Sequence, residues 1–561
     1  MTSSRRSSPL RVVVAGGILL GVGLLLASWA LPVNLRSVSP ALLKAAGEGS
    51  PSLSEFGRQL LEREKLGPAA LFATAARRAG DPGLAALSAR LAEAGARQPT
   101  LVPWGGWDPF LDPLFKLEES KGHAGSTPIL TFFITGKARA TLRSYLQNSR
   151  SLGVQALLRT REVGVTGQFV PVKSPGGQTL EAVILLAALL YQGEHFSAPL
   201  QRDLRNLAEI ASGRMDMGAL EGVYLDLLSL GKRLDWVQLG ELLRLADDRK
   251  TLGEYAHLAR VAPDDFALIY AAALFSGSAD RVATYLLRFG KTGLDDLALA
   301  ARDGQGAVQL LLRQQVPVSH GRGPALSAAA RLALAFPNLA LAVKWLGFLA
   351  GSCLLLEMVR RAAVGRPAGP RPSVTTAILG ALCAALIVVF TEPTLFNAPP
   401  PSEFAIRLAV PVLATLSDPA SLKTVEPTLA MDTTTLISIG LFAIIQIVWF
   451  LICLRKIAEI AQSSASPQLK LKLMENEENL FDGGLYLGIA GTATALVLQV
   501  LGLIQPNLLA AYSSNMFGIV CVALIKIRHV RQFKRQLILD GQSLPDGSSP
   551  APAAAQPGGT S

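Results

Sequence analysis

Cysteine is scarce in this chain, which has only four cysteines in 561 residues. All four stand in strongly apolar stretches of sequence, at Cys353, Cys383, Cys453 and Cys521. This placement argues against a disulfide framework, because a thiol in an apolar stretch is most simply a small buried hydrophobe.

Charge is scarce as well. Only 17% of the residues are Asp, Glu, Lys or Arg, whereas 50% are apolar, and the mean hydropathy is +0.36. This balance argues against a disordered chain and against a purely soluble one. At 561 residues the chain is also too long for one compact domain of ordinary size.

Six stretches of the sequence are almost free of charge, and each is long enough, or nearly so, to cross a bilayer core about 30 Å thick. In hydrocarbon a stretch must satisfy its own backbone amides, so each is predicted to be a helix. The six stretches are residues 12–31, 339–358, 374–390, 433–454, 485–504 and 508–525. The fold class predicted from them is all-α, a polytopic α-helical membrane protein.

Lysine and arginine cluster on alternate flanks of these stretches. The N-terminal flank and the segments after the second, fourth and sixth stretches are basic, whereas 391–432 holds only Arg407 and Lys423. This alternation predicts six crossings of a bacterial inner membrane, with both termini cytoplasmic and residues 33–337 external. Much of the net charge of +11 therefore lies beside the membrane. We expect contact with membrane lipids and no nucleic acid partner.

Residues 1–32 have two interpretations. Basic residues, an apolar run and Ser28-Trp29-Ala30 fit a secretory signal peptide with a cleavage site. The run 12–31 is longer than the usual signal core of about 7–15 residues, which favours an uncleaved signal-anchor. Both interpretations place the next domain outside the cytoplasm.

Residues 33–337 are predicted to form a large external, periplasmic α-helical domain. Apolar stretches recur at a spacing of about fifteen to twenty residues and several end on glycine, which indicates paired antiparallel helices in a solenoid-like array. These helices are predicted to begin near residues 179, 198, 217, 236, 251, 266, 281 and 294. Short strands are expected within 129–135 and 164–172.

Catalytic signals are weak in this domain. Gly290-Lys291-Thr292 resembles the end of a phosphate-binding loop, but that loop needs a glycine five residues before Gly290, where Tyr285 stands. Gly290 is better interpreted as the end of a helix. The five histidines are scattered, and no pair has metal-ligand spacing. The sequence therefore predicts a protein that is not an enzyme, with no catalytic, metal or cofactor-binding residues.

The last apolar stretches carry small and polar residues at helical spacing, so that several share one helical face. Polar groups are costly against lipid, and this face is therefore predicted to meet either another helix or a hydrated path. Helix packing is the simpler of the two interpretations. The residues selected as pore or helix-interface candidates are Gly488, Thr492, Gln499, Ser514, Asn515 and Gly518.

Two of these stretches follow a recognisable pattern. Gly488-Ile-Ala-Gly491-Thr492 is similar to a Gly-x-x-Gly-Thr stretch, and residues 511–520, Ala-Tyr-Ser-Ser-Asn-Met-Phe-Gly-Ile-Val, are similar to Ala-x-x-x-Thr-x-x-Gly-Leu-Val. Both patterns are typical of the MotA/TolQ/ExbB proton-channel family, which residues 433–527 resemble. The topology is similar too, with an inward helix, a cytoplasmic segment and a hairpin that has a short external turn.

The resemblance implies a homo-oligomer around the helix of a single-span partner of the MotB/TolR/ExbD type, whose aspartate carries the proton. Thr492 would match the family threonine of the fifth span, and Asn515 would replace that of the sixth. Ala510 stands where the Tol/Exb branch has a glutamate.

The leading hypothesis is a non-enzymatic inner-membrane protein, a proton-channel-like subunit of an energy-transducing envelope complex. The alternative is a membrane-anchored scaffold whose external helical domain binds a partner protein, without ion conduction. A solute transporter ranks last. Such a protein is expected to have broken helices or a charged residue at the midplane of the membrane, and the sequence shows neither. The predicted segments are 1–32 signal-anchor or signal peptide, 33–337 external domain, 338–392 two transmembrane helices, 393–432 external loop, 433–527 three-helix region, and 528–561 cytoplasmic basic segment and disordered tail.

Overall fold

The protein is all α-helical in the part of the chain that its computed structural model describes, which confirms the all-α part of the predicted class. The described residues are 8–115, 126–319, 327–364, 374–392, 402–404, 433–500 and 508–542. They include no β-strand, only isolated bridges such as that between Val38 and Val318. They form two compact units. The large unit comprises Pro32–Ala340 and residues 402–404, and the apolar unit comprises the remaining described residues.

The large unit follows helix α1 (Ser8–Trp29), which belongs to the apolar unit. Its helices are α2 (Pro40–Gly47), α3 (Leu53–Glu62), α4 (Leu66–Ala79), α5 (Leu84–Arg97), α6 (Leu111–Phe115), α7 (Ile129–Phe133), α8 (Gly136–Gln147), α9 (Leu152–Arg159), α10 (Gln178–Gln192), α11 (Ala198–Arg214), α12 (Ala219–Gly231), α13 (Trp236–Leu243), α14 (Arg249–Val261), α15 (Phe266–Ser276), α16 (Ala279–Asp303), α17 (Gln305–Gln314) and α18 (Ser327–Ala335).

The apolar unit contains longer helices. They are α19 (Pro337–Val364, which joins this unit from Leu341 onward), α20 (Val374–Thr391), α21 (Thr433–Gln462), α22 (Pro467–Asn476), α23 (Glu478–Val500), α24 (Leu508–Ala523), a π-helical segment (Leu524–Val530) and α25 (Arg531–Gln542).

The helices predicted from spacing between residues 178 and 303 are confirmed as helices α10–α16. The two expected near 281 and 294 are halves of α16, which is interrupted at Gly290. Gly290 has φ 57° and ψ −136°, a left-handed conformation that glycine adopts without steric cost. The solenoid-like stacking of these helices stays a prediction.

Residues 402–404 pack against this interruption of α16. The Ser402 hydroxyl donates a hydrogen bond to the Leu286 carbonyl at 3.1 Å, and a Cβ atom on Gly290 would lie 3.2 Å from the Glu403 nitrogen. Phe404 is 3% exposed. Gly290 thus permits both the kink and the approach of this segment. The remainder of the predicted loop 393–432 lies outside the described residues.

The prediction of a strand within 129–135 is wrong, since Ile129–Phe133 forms helix α7. Ile129, Leu130 and Phe133 are all buried, while the ring of Phe132 stacks on Trp104 with centroids 4.2 Å apart. Two pairs of adjacent side chains, Ile129 with Leu130 and Phe132 with Phe133, thus pack against the protein, whereas adjacent side chains of a strand point to opposite faces.

The prediction of a strand within 164–172 is also wrong, because this segment is a loop wrapped around one carboxylate. The backbone nitrogens of Gly167, Gln168 and Phe169 donate to Glu221 at 2.8, 2.6 and 2.9 Å. These amides are therefore not available to a β-ladder. Burial acts to raise the pKa of Glu221, but the three hydrogen bonds hold it below its ordinary value.

Two short apolar helices, α10 and α15, form the centre of the large unit. Every residue from Leu180 to Leu190 on α10 is buried, as are nearly all residues of α15. A helix that is apolar all round must be covered on every side. At 15 and 11 residues, both helices are too short to cross a bilayer, which takes about 20 residues.

One glutamate on α10 is surrounded by three arginines. Glu181 is 7% exposed and accepts hydrogen bonds from Arg139 at 3.0 Å, from Arg161 at 2.9 Å, and from Arg143. Burial acts to raise the pKa of Glu181, but Arg143, Arg161 and Arg139 hold it below its ordinary value. This carboxylate joins α8, the turn after α9, and α10.

One aspartate is wholly enclosed at the start of α13. Asp235 is 1% exposed, accepts a hydrogen bond from the Gln238 nitrogen at 2.8 Å, and accepts another from the Ser126 hydroxyl. With the reciprocal bond from its own nitrogen to the Gln238 side chain, it forms a capping box. Its carboxyl group lies so close to Gly67 and Gly105 that no Cβ atom fits at either position. Burial raises the pKa of Asp235 to about 7.

Three of the described helical segments are long and apolar enough to cross a membrane, namely Val12–Trp29, Pro337–Ala362 and Tyr512–Asp540. They overlap the first and sixth of the stretches predicted from sequence and contain the second. The third and fourth stretches are helical in α20 and α21, and the fifth is helical in α23 as far as it is described. The crossing of a membrane by any of the six stretches, and their topology, remain predictions.

Glycines let α1 approach α19 closely. A Cβ atom on Gly21 would lie 3.3 Å from the Gly351 carbonyl, and one on Gly17 would lie 2.5 Å from the Met358 sulfur. The Ser28 hydroxyl similarly fills the space beside Gly347. Spacing of small residues by four, as in Gly347 and Gly351, is the usual means of bringing two apolar helices together.

Helices α19 and α20 are joined by charged side chains at both ends. Lys344 and Glu392 form an ion pair at 3.6 Å near one end, and both are buried. Near the other end Glu357 pairs with Arg360 at 2.7 Å and accepts a hydrogen bond from the Thr376 hydroxyl at 3.0 Å. Because Lys344 contacts Glu392 while Glu357, later in the chain, contacts the earlier residue Thr376, the two helices run antiparallel.

Candidate functional site

Helices α21, α23 and α24, here called the three-helix group, hold the residues selected from sequence. A Cβ atom on Gly488 of α23 would lie 3.0 Å from the Ser514 carbonyl of α24, and one on Gly518 of α24 would lie 2.6 Å from the Gly484 carbonyl of α23. Glycine is therefore required at both points for the two backbones to approach so closely.

Two polar side chains are buried within this contact. Ser514 is 1% exposed and its hydroxyl lies 3.2 Å from the Gly488 carbonyl, to which it donates. Gln446 of α21 is 2% exposed and donates from Nε2 to the Gly484 carbonyl at 2.8 Å. Both bonds join side chains of one helix to the backbone of another, so the polar face predicted from sequence is a helix interface in this protomer.

The same three helices meet an apolar cluster beyond this polar contact. Trp449 of α21 packs against Gly483 and donates its indole hydrogen to the Leu480 carbonyl at 3.2 Å. Cys453 and Cys521 lie in this cluster and are 0% and 2% exposed. Both are free thiols, as expected of cysteines in apolar stretches.

The structure brings together three of the six selected residues, Gly488, Ser514 and Gly518. Thr492 is half-buried, and its hydroxyl donates to the Gly488 carbonyl one turn earlier at 2.9 Å. Asn515 lies beside Gly488, where a Cβ atom would lie 3.1 Å from its Cα atom. The side chain of Gln499 lies outside what the structure describes.

Two amide oxygens at this site have no hydrogen-bond partner in the described part of the chain. They are Oε1 of Gln446 and Oδ1 of Asn515, and both atoms are buried. The bond from Gln446 Nε2 to Gly484 fixes the orientation of that amide, so its oxygen is the unpaired atom. A buried acceptor without a donor is rare, because it loses the hydrogen bonds that water would supply.

Sequence reasoning identified Gln446 as a polar residue of the fourth apolar stretch but did not include it among the six candidates, and it did not identify Gly484. Gln446 was visible as a lone amide in an apolar stretch, and such a group is costly against lipid, so it did carry a signal. Gly484 carried no such signal, because it precedes the apolar stretch and a glycine there is equally compatible with a turn.

A second polar cluster lies in the large unit, around His195. Its Nε2 atom lies 3.2 Å from an Asp108 oxygen, its Nδ1 atom lies 3.1 Å from Arg244, and its ring meets Trp236 edge-on. Burial acts to raise the pKa of Asp108, but the neighbouring side chains of His195 and Trp236 hold it below its ordinary value. Gly193 packs directly on the imidazole. The side chains of His195 and Asp108 are buried, and their contacts connect the loop that holds Asp108 to the end of helix α13 at Arg244.

Comparison with known proteins gives no match to a family model, a curated protein or a solved structure. The resemblance to the MotA/TolQ/ExbB family therefore rests on the two stretches within 433–527 and stays a prediction. Function must be argued from the site itself.

Valine in place of Gly518 is expected to weaken the contact between α23 and α24. Its Cβ atom would meet a backbone carbonyl at 2.6 Å, which no rotamer change relieves. Overpacking of this kind costs about 1–3 kcal/mol. A thermal scan with a thiol-reactive dye reports the loss, because the buried Cys453 and Cys521 become reactive as the cluster opens.

The matched control is Met516→Val, which puts the same residue at a position of α24 that is 56% exposed. This control is expected to keep the wild-type midpoint of the scan. Equal midpoints for the two valine variants would show that the close approach at Gly518 does not hold the hairpin together.

Proposed function

We propose that the protein is an integral membrane subunit whose three-helix group assembles with further copies into a proton-channel-like complex. The unpaired oxygens of Gln446 and Asn515 are the observation that supports this proposal. In an apolar surrounding each such atom needs a donor from water, from another copy, or from a partner helix. An isolated protomer supplies none among the described residues, so the site is complete only in an assembly or when hydrated.

The exposed faces of these helices favour an assembly within a membrane. Large apolar side chains are exposed along all three helices, for example Val448 on α21, Ile489 on α23 and Met516 on α24. Such faces are covered by lipid or by neighbouring helices. The partner we propose is a single-span protein of the MotB/TolR/ExbD type, whose intramembrane carboxyl group would act as the proton carrier.

The large unit is proposed to lie outside the cytoplasm and to recruit or sense a protein of the envelope. Its buried carboxyl groups, Asp235 and Glu181, are bound by neighbouring side chains, and no residue set among its described residues is arranged for catalysis. A helical domain of this size, carried on the same chain as a membrane subunit, is suited to a binding role.

Conduction is tested by reconstituting the full-length protein, alone and with a co-purified partner, in vesicles that contain a trapped pH-sensitive dye. The double variant Gln446→Leu/Asn515→Leu is expected to lower proton flux at least about tenfold, because it removes both polar acceptors from the path. Thr492→Val is expected to lower flux as well, since the resemblance places this threonine on the proton route.

Met516→Leu, adjacent to Asn515 but exposed, is the matched control and is expected to conduct as the wild type does. Wild-type flux in both the leucine double variant and Thr492→Val would refute conduction through this site. Oligomer size is measured in parallel, so that loss of assembly is distinguished from loss of conduction.

A membrane-anchored scaffold is the second candidate, favoured by a different observation. The Ser514 hydroxyl is already bonded, and Gly488 and Gly518 bring two backbones into direct contact. Most of the polar face is therefore used in packing within one protomer. If the leucine double variant changes oligomer size while no variant or wild-type sample conducts protons, the scaffold is the better description.

A further inference from the structure

A groove rich in arginine and lysine lies where α25 packs beside α22 and the start of α23, here called the basic groove. Its volume is 760 Å³, within the range of about 300–1,000 Å³ typical of small-molecule sites. Its lining includes apolar side chains, among them the exposed Ile527, Ile538 and Leu539. It also includes the cations Arg531, Lys534 and Arg535. One side of the groove is therefore apolar and the other strongly positive.

The positive charge of this groove is not balanced within the described residues. Lys526, which also lines it, is paired with Asp482 at 2.7 Å and with Glu478 at 3.6 Å. No ion pair is formed by the other three cations in the described part of the chain. Arg531 and Arg535 are exposed, and the guanidinium group binds phosphate oxygens through two parallel hydrogen bonds.

The position of the groove along the chain limits what can occupy it. Helix α24 continues through the π-helical segment into α25, and together they include the candidate membrane-crossing segment Tyr512–Asp540. The cations follow directly after the most apolar part of that segment. Basic residues at such a place face the headgroup region of a bilayer, where anionic lipids collect.

We propose that the basic groove is a binding site for an anionic phospholipid. The headgroup phosphate is bound by Arg531, Lys534 and Arg535, and an acyl chain lies along the exposed apolar side chains of Ile527, Ile538 and Leu539. A free phosphate would use only the cations and would leave the apolar side exposed to water. A zwitterionic lipid would leave the positive charge unbalanced.

The test is a calorimetric titration of the full-length protein in neutral detergent with three probes. These are dioctanoyl phosphatidylglycerol, dioctanoyl phosphatidylcholine and inorganic phosphate. Phosphatidylglycerol is expected to bind saturably at one site per chain, and the other two at least about tenfold more weakly. The variant Arg531→Gln/Arg535→Gln is expected to bind phosphatidylglycerol roughly 25-fold more weakly, at about fivefold per cation.

The matched control is Arg455→Gln/Lys472→Gln, which removes two exposed cations of the same unit that do not line the groove. It is expected to bind as the wild type does. Inorganic phosphate binding as tightly as phosphatidylglycerol would identify a soluble anion as the ligand and overturn the proposal. Equal binding of both lipids, or equal losses in the two double variants, would overturn it as well.

Discussion

Replacing Asp235 with asparagine is expected to stabilise the large unit at pH 8 and to leave its stability nearly unchanged at pH 4. Burial raises the pKa of this carboxyl group from 3.8 to about 7, so the folded protein retains a proton that the unfolded chain releases. The contribution of the Asp235 carboxyl group to the free energy of unfolding is fully present below pH 3.8 and is lost as the pH rises towards 7. A difference of about three pKa units corresponds to about 4 kcal/mol.

Asparagine reproduces the neutral form of this side chain. Its oxygen can accept the hydrogen bond from the Gln238 nitrogen, its NH₂ group can donate to the Ser126 hydroxyl, and it caps a helix as well as aspartate does. The measurement is hydrogen exchange of the α4 and α13 amides in the full-length protein between pH 5 and pH 8. The wild type is expected to lose protection with rising pH, and the variant is not.

The control for this prediction is Asp248→Asn. Asp248 also accepts a backbone hydrogen bond at the start of a helix, from Lys250 at 3.2 Å, but it is exposed to solvent. The control variant is expected to keep the pH dependence of the wild type. A wild-type unit equally protected at pH 5 and pH 8 would contradict the role given to Asp235.

Replacing Glu181 with glutamine is expected to destabilise the large unit by about 3 kcal/mol, the lower end of the range for breaking a buried ion pair. Glutamine has nearly the same shape, but it leaves Arg139, Arg143 and Arg161 close together without a negative charge. Two of these guanidinium groups are less than a fifth exposed, so water screens their repulsion only in part. Hydrogen exchange of α8 and α10 reports the loss.

Glu162→Gln provides the comparison for this effect. Glu162 pairs with Lys173, and both side chains are more than half exposed, so its loss is expected to cost less than about 1 kcal/mol. Adding Arg143→Met to Glu181→Gln is expected to recover part of the lost stability, because it removes one uncompensated charge. Similar effects of the two glutamine substitutions would contradict the special role of Glu181.

Much of the helical architecture was predictable because it depends on local spacing. The helices between 178 and 303 were located from apolar stretches and glycines, and α10 and α15 could be placed without any tertiary contact. The segments 129–135 and 164–172 were not predictable in the same way. In the first, the adjacent side chains of Ile129 and Leu130 are both buried by tertiary contacts. The second is a loop because the Glu221 carboxylate, more than fifty residues away, accepts hydrogen bonds from its amides.

The candidate site was predictable in part for the same reason. Gly488, Ser514 and Gly518 stand at helical spacing within one hairpin, so a shared face was visible in the sequence. Gln446 and Gly484 meet only because α21 packs beside that hairpin. Their contact depends on a crossing point between two helices, which spacing along one helix does not specify.

The sequence by itself determined that this is a helical protein with long apolar segments, because helix periodicity and length are properties of neighbouring residues. It also marked the small residues through which α23 and α24 approach each other. Only the tertiary structure decided which buried polar atoms are paired. Asp235 is enclosed by glycines more than a hundred residues away, and the oxygens of Gln446 and Asn515 have no donor among the described residues. A hydrogen bond forms only when its donor and acceptor lie within a few ångströms of each other. For two distant segments of the chain, that distance is set only when the chain folds.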